Sequence, residues 1–427
     1  MNMNEHLEKA INTFRTAAPR YAKTERYYLG RHDLAFATKK FENTFGTLFR
    51  EFAMNLCPAV CDALRDKLKI TGFGIEEASR STEINEARRA LSRIWSRNRM
   101  AVRSGEVHKE VLKNGDAYLI VWPDADGNAA AYPNRAANVT VAYDEERPGR
   151  ILWAAKYWQS ADKFIRLNLF YPDRIETYRS ENESEVPVLP EPGSFRPTGE
   201  ITNPYGVVPV FHFANNADIG QTGTSELDQA IPVQDGLNKS VLDMLVAMEY
   251  SAYRQRWAAG IELDQDENGE YKAPFNAGLD HLWIASNPDA KFGDLGTADL
   301  EQFLKVKESF RIDIACVTGT PLHYLQPSTK GFPSGESLRK AESRFLAKVR
   351  DRQESFGQIW ADAMAFAYRI ETGDRGVSLV TEWEDAAAVS LRERLENILL
   401  KTKIGLPANR ALEEIGYGNE DASSMSK

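Results

Sequence analysis

Three stretches of this chain repeat apolar residues at the three- and four-residue spacing of an α-helix over unusual lengths. They cover residues 226–257, 298–317 and 335–370. At about 1.5 Å per residue such helices are roughly 48, 30 and 54 Å long, whereas helices of compact domains are mostly half that length or less. A helix that outgrows one domain needs neighbours along its whole apolar stripe. The sequence therefore predicts long helices that pack against each other or against copies in an oligomer.

Composition limits the class of protein. The chain has 427 residues, 42% hydrophobic and 27% charged, which is ordinary for a globular protein and excludes wholesale disorder. No apolar run approaches the roughly 20 residues of a membrane span, and residues 1–20 lack the apolar core of a signal peptide. We therefore expect no membrane association, with the cytosol as the default compartment.

The charge balance restricts any role with DNA. The net charge is −9, whereas a protein that grips duplex DNA tightly usually has a basic balance or a basic stripe. A DNA-handling protein of this composition would be non-adhesive, or would use a few cations only. Cys57 and Cys61 are one helical turn apart, and the best interpretation is a pair of half-buried thiols, since no second half of a metal site accompanies them.

The first part of the chain is predicted to be helical. Helices are expected at residues 4–16, at 58–69 with Gly72 as the stop, at 85–99 and at 102–114. The third of these is basic on its outer face, through Arg88, Arg89, Arg93, Arg97 and Arg99. Such a face fits either a nucleic-acid surface or a solvated or intersubunit surface, and the latter is favoured.

A period of two then replaces the helical period. Strands are expected at residues 117–122, 139–143, 151–158, 164–170 and 174–179, forming one antiparallel meander of four or five strands. Residues 180–206, rich in Glu, Pro and Gly, are predicted as a surface loop or linker, and 207–213 as a further strand.

The remaining segments surround the long helices. Residues 258–296 are expected to be a small α/β insertion with strands at 260–263 and 282–284, and residues 317–334 a loop interrupted by Gly and Pro. An isolated strand is expected at 377–383, followed by a helical hairpin of residues 389–402 and 408–415.

A search for catalytic and metal-binding motifs identifies no site. The chain has no P-loop, dinucleotide-binding glycine pattern or nucleophile elbow, and its histidines are scattered. Asp264, Asp266, Asn268 and Gly269 copy the first half of an EF-hand loop, but its last position is Phe275 instead of the bidentate Glu. We therefore predict no catalytic residue, no metal and no cofactor.

Short motifs in a fixed order give the chain a family resemblance. They are YYLGRH at 27–32, LKITGF at 68–73, NGDAY at 114–118, GVVPV at 206–210, SEL at 225–227, QDGLNK at 234–239, TGTP at 318–321, SGESLR at 334–339, FGQIW at 356–360 and GLP at 405–407. With this order and the long-helix layout, the chain resembles the portal proteins of tailed bacteriophages, of the siphophage type.

The resemblance implies an α+β portal-like fold and a division of the chain. Its parts would be a wing of residues 1–225 and 335–384, stem helices at 226–257 and 297–317, a clip at 258–296, a tunnel loop at 318–334 and a short crown at 385–427.

The resemblance also implies a function. Subunits, usually twelve, would form a ring at one capsid vertex of the virion after assembly in the host cytoplasm. The ring would conduct double-stranded DNA during packaging and ejection. Its implied partners are the terminase large subunit, the major capsid and scaffolding proteins, and a head-completion or adaptor protein.

The tunnel loop provides the candidate DNA contacts. Lys330 is its sole cation, with His323, Tyr324 and Leu325 nearby. We expect these residues to touch passing DNA transiently; the alternative is that Tyr324 and Leu325 pack against the loop of the adjacent copy. Two other functions remain open: a cytosolic α+β enzyme with an unrecognised site, and a nucleic-acid binder acting through the basic helix at 88–99.

Overall fold

The structure, a computed structural model, describes most of the chain. The described residues are 5–36, 38–39, 43–44, 46–47, 54–75, 81–147, 149–219, 222–252, 256–261, 287–294, 300–325, 335–387 and 391–405. Helices and antiparallel sheets occupy separate parts of these ranges, which confirms the predicted α+β class.

The elements follow one another in this order. They are α1 (Glu5–Tyr28), α2 (Cys57–Arg65), β1 (Ile70–Ile75), α3 (Ser81–Arg97), α4 (Met100–Asn114), β2 (Asp116–Pro123), β3 (Ala129–Arg135), β4 (Val139–Tyr143), β5 (Ile151–Gln159), β6 (Phe164–Phe170), β7 (Arg174–Glu183), β8 (Phe195–Thr202), β9 (Val210–Ala214), α5 (Ala230–Ala252), β10 (Arg256–Ala259), β11 (Lys291–Asp294), α6 (Leu300–Thr318), α7 (Leu322–Leu325), α8 (Gly335–Thr372), β12 (Leu379–Trp383) and α9 (Leu391–Ile404).

Helix α8 is the central element of the main core. It runs for 38 residues, close to the predicted 335–370, so the prediction of a very long helix here is confirmed. Phe345, Val349, Phe356 and Trp360 lie along one side and are each exposed by 1% or less. They pack in the main core, where α8 contacts α3, β12 and the sheet of β2, β3 and β9.

The tryptophan on α8 joins several elements. Trp360 Nε1 donates a hydrogen bond of 2.9 Å to Nε2 of His108 on α4, and its ring meets Trp95 of α3 edge-on at 5.5 Å. Burial lowers the pKa of His108 to about 3, so this imidazole is a neutral acceptor in the core. His108 therefore lies on an apolar face of α4 as part of the packed core.

Two predictions about the first sheet were wrong. The expected helix 58–69 ends earlier, at Arg65, and the motif around Gly72 is strand β1. Strand β12 is not isolated, because it pairs antiparallel with β1 from Ile70 opposite Trp383 to Ile75 opposite Leu379. Glycine suits position 72 of β1 because the Glu382 side chain lies over it. A Cβ there would be only 3.0 Å from the Glu382 carboxylate.

The expected single meander is instead two sheets. One has the order β3-β2-β9 and the other β4-β5-β6-β7-β8, all antiparallel. Strand β3 was not predicted, and β8 occupies part of the segment 180–206 that was interpreted as a linker. Helix α1, which continues well beyond the predicted residue 16, packs Leu7, Ile11 and Phe14 against the five-stranded sheet.

Helices α5 and α6 pack side by side as the predicted long pair, and α5 begins later than predicted. Residues 226–229 form a turn, and α5 begins at Ala230. Gly236 allows the close contact: a Cβ there would lie 2.8 Å from the Phe310 ring of α6. Strands β10 and β11 pair antiparallel, and β10 covers residues 256–259 where a strand was predicted at 260–263. The predicted strand 282–284 and helix 408–415 lie outside the described residues.

The glycine at the end of α4 allows a close contact with the backbone of residues 222–224. Gly115, which ends α4 with φ +92°, would place a Cβ 2.6 Å from the carbonyl oxygen of Gly223. The backbone of residues 222–224 therefore lies directly against this turn, and Asn215 N donates to Gly115 O over 2.8 Å.

We predict that Gly115→Ala lowers the free energy of unfolding by about 3 kcal/mol. The alanine would adopt a strained positive φ, and its Cβ would clash with the backbone at Gly223. The matched control is Gly127→Ala, at φ +82° with open space around it, which should cost only about 1 kcal/mol. Urea unfolding followed by circular dichroism measures both. Equal losses would contradict the close approach.

Candidate functional site

The segment that leaves α6 contains three of the four predicted DNA-contact residues. Helix α6 ends at Thr318, whose hydroxyl donates to Ile314 O over 2.7 Å, and Gly319 follows with φ +67°. Pro321 then leads into the one-turn helix α7, a helical turn inside the stretch 317–334 that was predicted as irregular loop. The chain thus turns sharply from α6 toward α8.

The three residues have different environments. Leu325 is 5% exposed in the main core, so it anchors the segment. His323 Nε2 lies 3.0 Å from Glu342 Oε1 on α8, and the Tyr324 hydroxyl donates to the same oxygen over 3.4 Å. Burial and the nearby Glu342 charge raise the pKa of Tyr324. Lys330 lies outside the described residues.

A buried ion network lies directly behind this segment. Glu226 is 8% exposed; its Oε2 accepts from Lys348 Nζ, and its Oε1 accepts from Arg352 over 3.2 Å. Lys348 also donates to the carbonyl oxygen of Thr318 over 2.8 Å. One carboxylate therefore links the turn before α5, the end of α6 and the middle of α8, and we call these four residues the junction network.

Sequence reasoning missed the junction network. Glu226 lies 122 residues from Lys348 and 126 from Arg352, so no local spacing connects them. The available signal was the pair of cations one turn apart on α8 at the edge of its apolar stripe. A cleft of about 520 Å³ opens beside the network, and Arg344, Lys348 and Arg352 are among its lining residues.

A second buried carboxylate bears on the enzyme hypothesis. Asp116 Oδ1 lies 2.8 Å from His212 Nε2, and His212 Nδ1 lies 2.7 Å from the Tyr143 hydroxyl, an order that resembles a catalytic triad. Burial raises the pKa of Tyr143 to about 12, so the phenol stays protonated and is a poor nucleophile. The two contacts join β2, β9 and β4, so they link the three-stranded sheet to the five-stranded sheet.

Asp116 also holds the N-terminal helix. Its Oδ2 accepts from Arg20 over 2.6 Å and from Tyr21 over 2.8 Å, and Gly223 N donates to its Oδ1 over 2.8 Å. Burial alone would raise the pKa of Asp116, but the hydrogen bond and charge of His212 outweigh it and lower that pKa. Among the described residues, no cluster of His, Cys, Asp and Glu could hold a metal ion, and no helix is long and apolar enough to cross a membrane.

The comparisons with known proteins identify the class. Residues 7–404 match the model of a family of phage portal proteins. The chain belongs to that family, which is described as Phage portal protein, SPP1 Gp6-like, so the predicted resemblance is confirmed. Its members are structural proteins.

Individual relatives are distant. The portal protein of Mycobacterium phage D29 is 23% identical over 393 residues, covering 85% of this chain and 76% of the relative. The portal protein of Mycobacterium phage L5 is 26% identical over 275 residues, covering 59% of this chain and 56% of the relative. A chain of a solved structure described as "Neck of empty GTA particle computed with C6 symmetry" has a TM-score of 0.49 at 13% identity, covering 88% of this chain and 94% of that chain.

We predict that Glu226→Gln lowers the free energy of unfolding by about 3 kcal/mol, because two largely buried cations lose their carboxylate. Lys348→Met should cost less, about 1 to 2 kcal/mol, since Arg352 still neutralises Glu226. The control is Glu301→Gln on α6, whose side chain is 70% exposed, with an expected change within about 0.5 kcal/mol. Urea unfolding measures the three variants, and a loss for Glu226→Gln no larger than the control would contradict the network.

Proposed function

We propose that the chain forms a closed ring, of twelve subunits by resemblance, at one vertex of a phage capsid. DNA passes through the ring during packaging, driven by a terminase, and leaves through it at ejection. Wing residues contact capsid and scaffolding proteins, and the clip residues bind the motor and later the head-completion or adaptor proteins. Family membership supports the assignment, and the surface of the stem helices supports the ring.

The observation that carries the ring is the apolar surface of α6. Phe310 and Ile314 face α5, but Leu304 is 56% exposed, Val306 42% and Val317 45%. At about 100° per residue, Val306 and Val317 lie about 40° and 20° from Phe310, at the edge of the α5-facing side, and Leu304 lies about 120° from Phe310 in the opposite direction. A subunit in a ring has one neighbour on each side, and these two neighbours would bury both sets of apolar side chains away from water.

The charge of the chain fits a conducting channel. Each phosphate neutralised by a fixed Lys or Arg adds affinity through counterion release, so a basic wall would hold the duplex. With a net charge of −9, the ring would let DNA slide. The segment around His323 and Tyr324 would face the channel while Leu325 holds it to the core, and contact of Lys330 with DNA stays a prediction.

The experiment is negative-stain electron microscopy of the purified chain. We expect rings with a central hole. Monomers or dimers at every tested concentration and salt would overturn the proposal. Rings without a central hole wide enough to pass a DNA duplex would overturn the conducting role alone.

Flank variants test the role of the stem. We predict that Leu304→Asp and Val306→Asp each raise the subunit concentration needed for half-assembly by at least about tenfold, because each loses the burial of one apolar side chain, about 1.5 kcal/mol or more. The control is Val102→Asp, on a 70% exposed residue of α4, which should leave assembly unchanged. Mass photometry across a dilution series gives the three values. Normal assembly of both α6 variants would contradict the flank contacts.

A further inference from the structure

Helix α3 presents two exposed arginines on one face, Arg89 and Arg93, and neither forms an ion pair with a described residue. Arg88 is exposed as well but lies about 140° around the helix from Arg93, and the exposed Glu86 lies on the side of Arg89 and Arg93. Only Arg97, at the end of the helix, is held, by Glu371. In a chain of net charge −9 an unneutralised basic face needs a reason.

Helix α8 presents the opposite charge on its back. Glu354, Gln358 and Asp362 are exposed and four residues apart, so they form one stripe. Gln358 Nε2 donates to Asp362 Oδ1 over 3.0 Å, and neither Glu354 nor Asp362 forms an ion pair with a described residue. Arg350 and Arg369 lie beyond the two ends of the stripe, and Arg369 is engaged with the carbonyl oxygen of Tyr205.

Both faces turn away from the contact between α3 and α8. Ile94 of α3 and Trp360 of α8 line the same small core cavity, which defines the side on which these helices meet. At about 100° per residue, Arg89 and Arg93 lie roughly 140° and 100° from Ile94 around α3. By the same arithmetic, the stripe from Glu354 to Asp362 lies roughly 120° to 200° from Trp360 around α8. One face is therefore on each side of the α3–α8 contact.

We propose that the arginine face of α3 in one subunit binds the carboxylate stripe of α8 in the next copy. This inference rests on the proposed ring and names an interface in it. Complementary faces on opposite sides of a subunit give a heterologous, head-to-tail contact, which closes into a ring when the rotation permits. Arg89 and Arg93 are about 6 Å apart along α3, and Glu354 and Asp362 are about 12 Å apart along α8.

The occupant is a second copy and not a nucleic acid. A phosphate surface would explain the arginines but would leave the carboxylate stripe without a purpose, and the net charge of −9 opposes attraction of DNA to the whole chain. A copy of the chain supplies the partner for both faces at once. Opposite charges across such a contact fix its register and suppress wrong pairings.

Charge reversal with mixing tests the proposal. We expect that Arg89→Glu with Arg93→Glu, and separately Glu354→Lys with Asp362→Lys, each raise the half-assembly concentration at least about tenfold by placing like charges opposite each other. An equimolar mixture should assemble near the wild-type concentration, because alternating the two variants pairs Glu with Lys at one contact and Arg with carboxylate at the next. The control is Arg147→Glu with Arg150→Glu in an exposed turn, which should assemble normally.

The outcomes separate the two levels of inference. If the wild type forms no ring, the proposed function fails. If the wild type forms rings and the α3 variant assembles at the same concentration, the interface is wrong while the ring stands. It is also wrong if both variants are impaired, fold normally by circular dichroism and are not rescued by mixing. If the α3 variant assembles normally but no longer binds a fluorescent DNA duplex that the wild type binds, the arginines bind nucleic acid instead.

Discussion

The carboxylate of Glu226 is the one acceptor on which the joint between the long helices depends. Its cations come from α8, and the carbonyl oxygen of Thr318 shares Lys348 with it. A buried charge without a partner is costly, so moving the turn at Glu226 relative to α8 would leave Glu226 and Lys348 uncompensated. Moving α6 would break the hydrogen bond from Lys348 to the carbonyl oxygen of Thr318. The hydrogen bond to Thr318 and the charges behind it fix the direction in which the segment after α6 leaves the core. Burial of Leu325 fixes only how deeply this segment packs into the core.

Asp116 repeats this solution for the backbone that leads to Glu226. It accepts hydrogen bonds from α1, from β9 and from the backbone at Gly223, in a region where residues 215–219 and 222–224 form no regular ladder. An irregular backbone near a core needs partners for its polar groups, and a carboxylate with several acceptor sites supplies them. Both buried acids therefore hold segments that helices and sheets cannot.

Hydrophobic periodicity predicted the long elements that bury one side along their whole length. Helix α8 was nearly correct because its apolar stripe continues almost without interruption. Strand β8 was missed because only Phe195 at its start is buried, so the strand has no alternation, and Pro197 and Gly199 indicate a loop. Strand β1 was missed because a glycine after a helical pattern usually marks the end of a helix, and Gly72 was interpreted in that way. The junction network was out of reach because its members come together only in the folded chain, and Lys330 lies outside the described residues.

The surface of the subunit explains why copies would join in a ring and not as a two-fold pair. In an isologous dimer each patch meets the same patch of its partner around the axis, so arginine faces would oppose each other or stay unpaired. In the proposed interface the arginines of α3 and the carboxylates of α8 each require the other surface on a neighbouring copy. A head-to-tail arrangement satisfies all of them with one repeated contact, and the angle between the two faces then sets how many subunits close the ring.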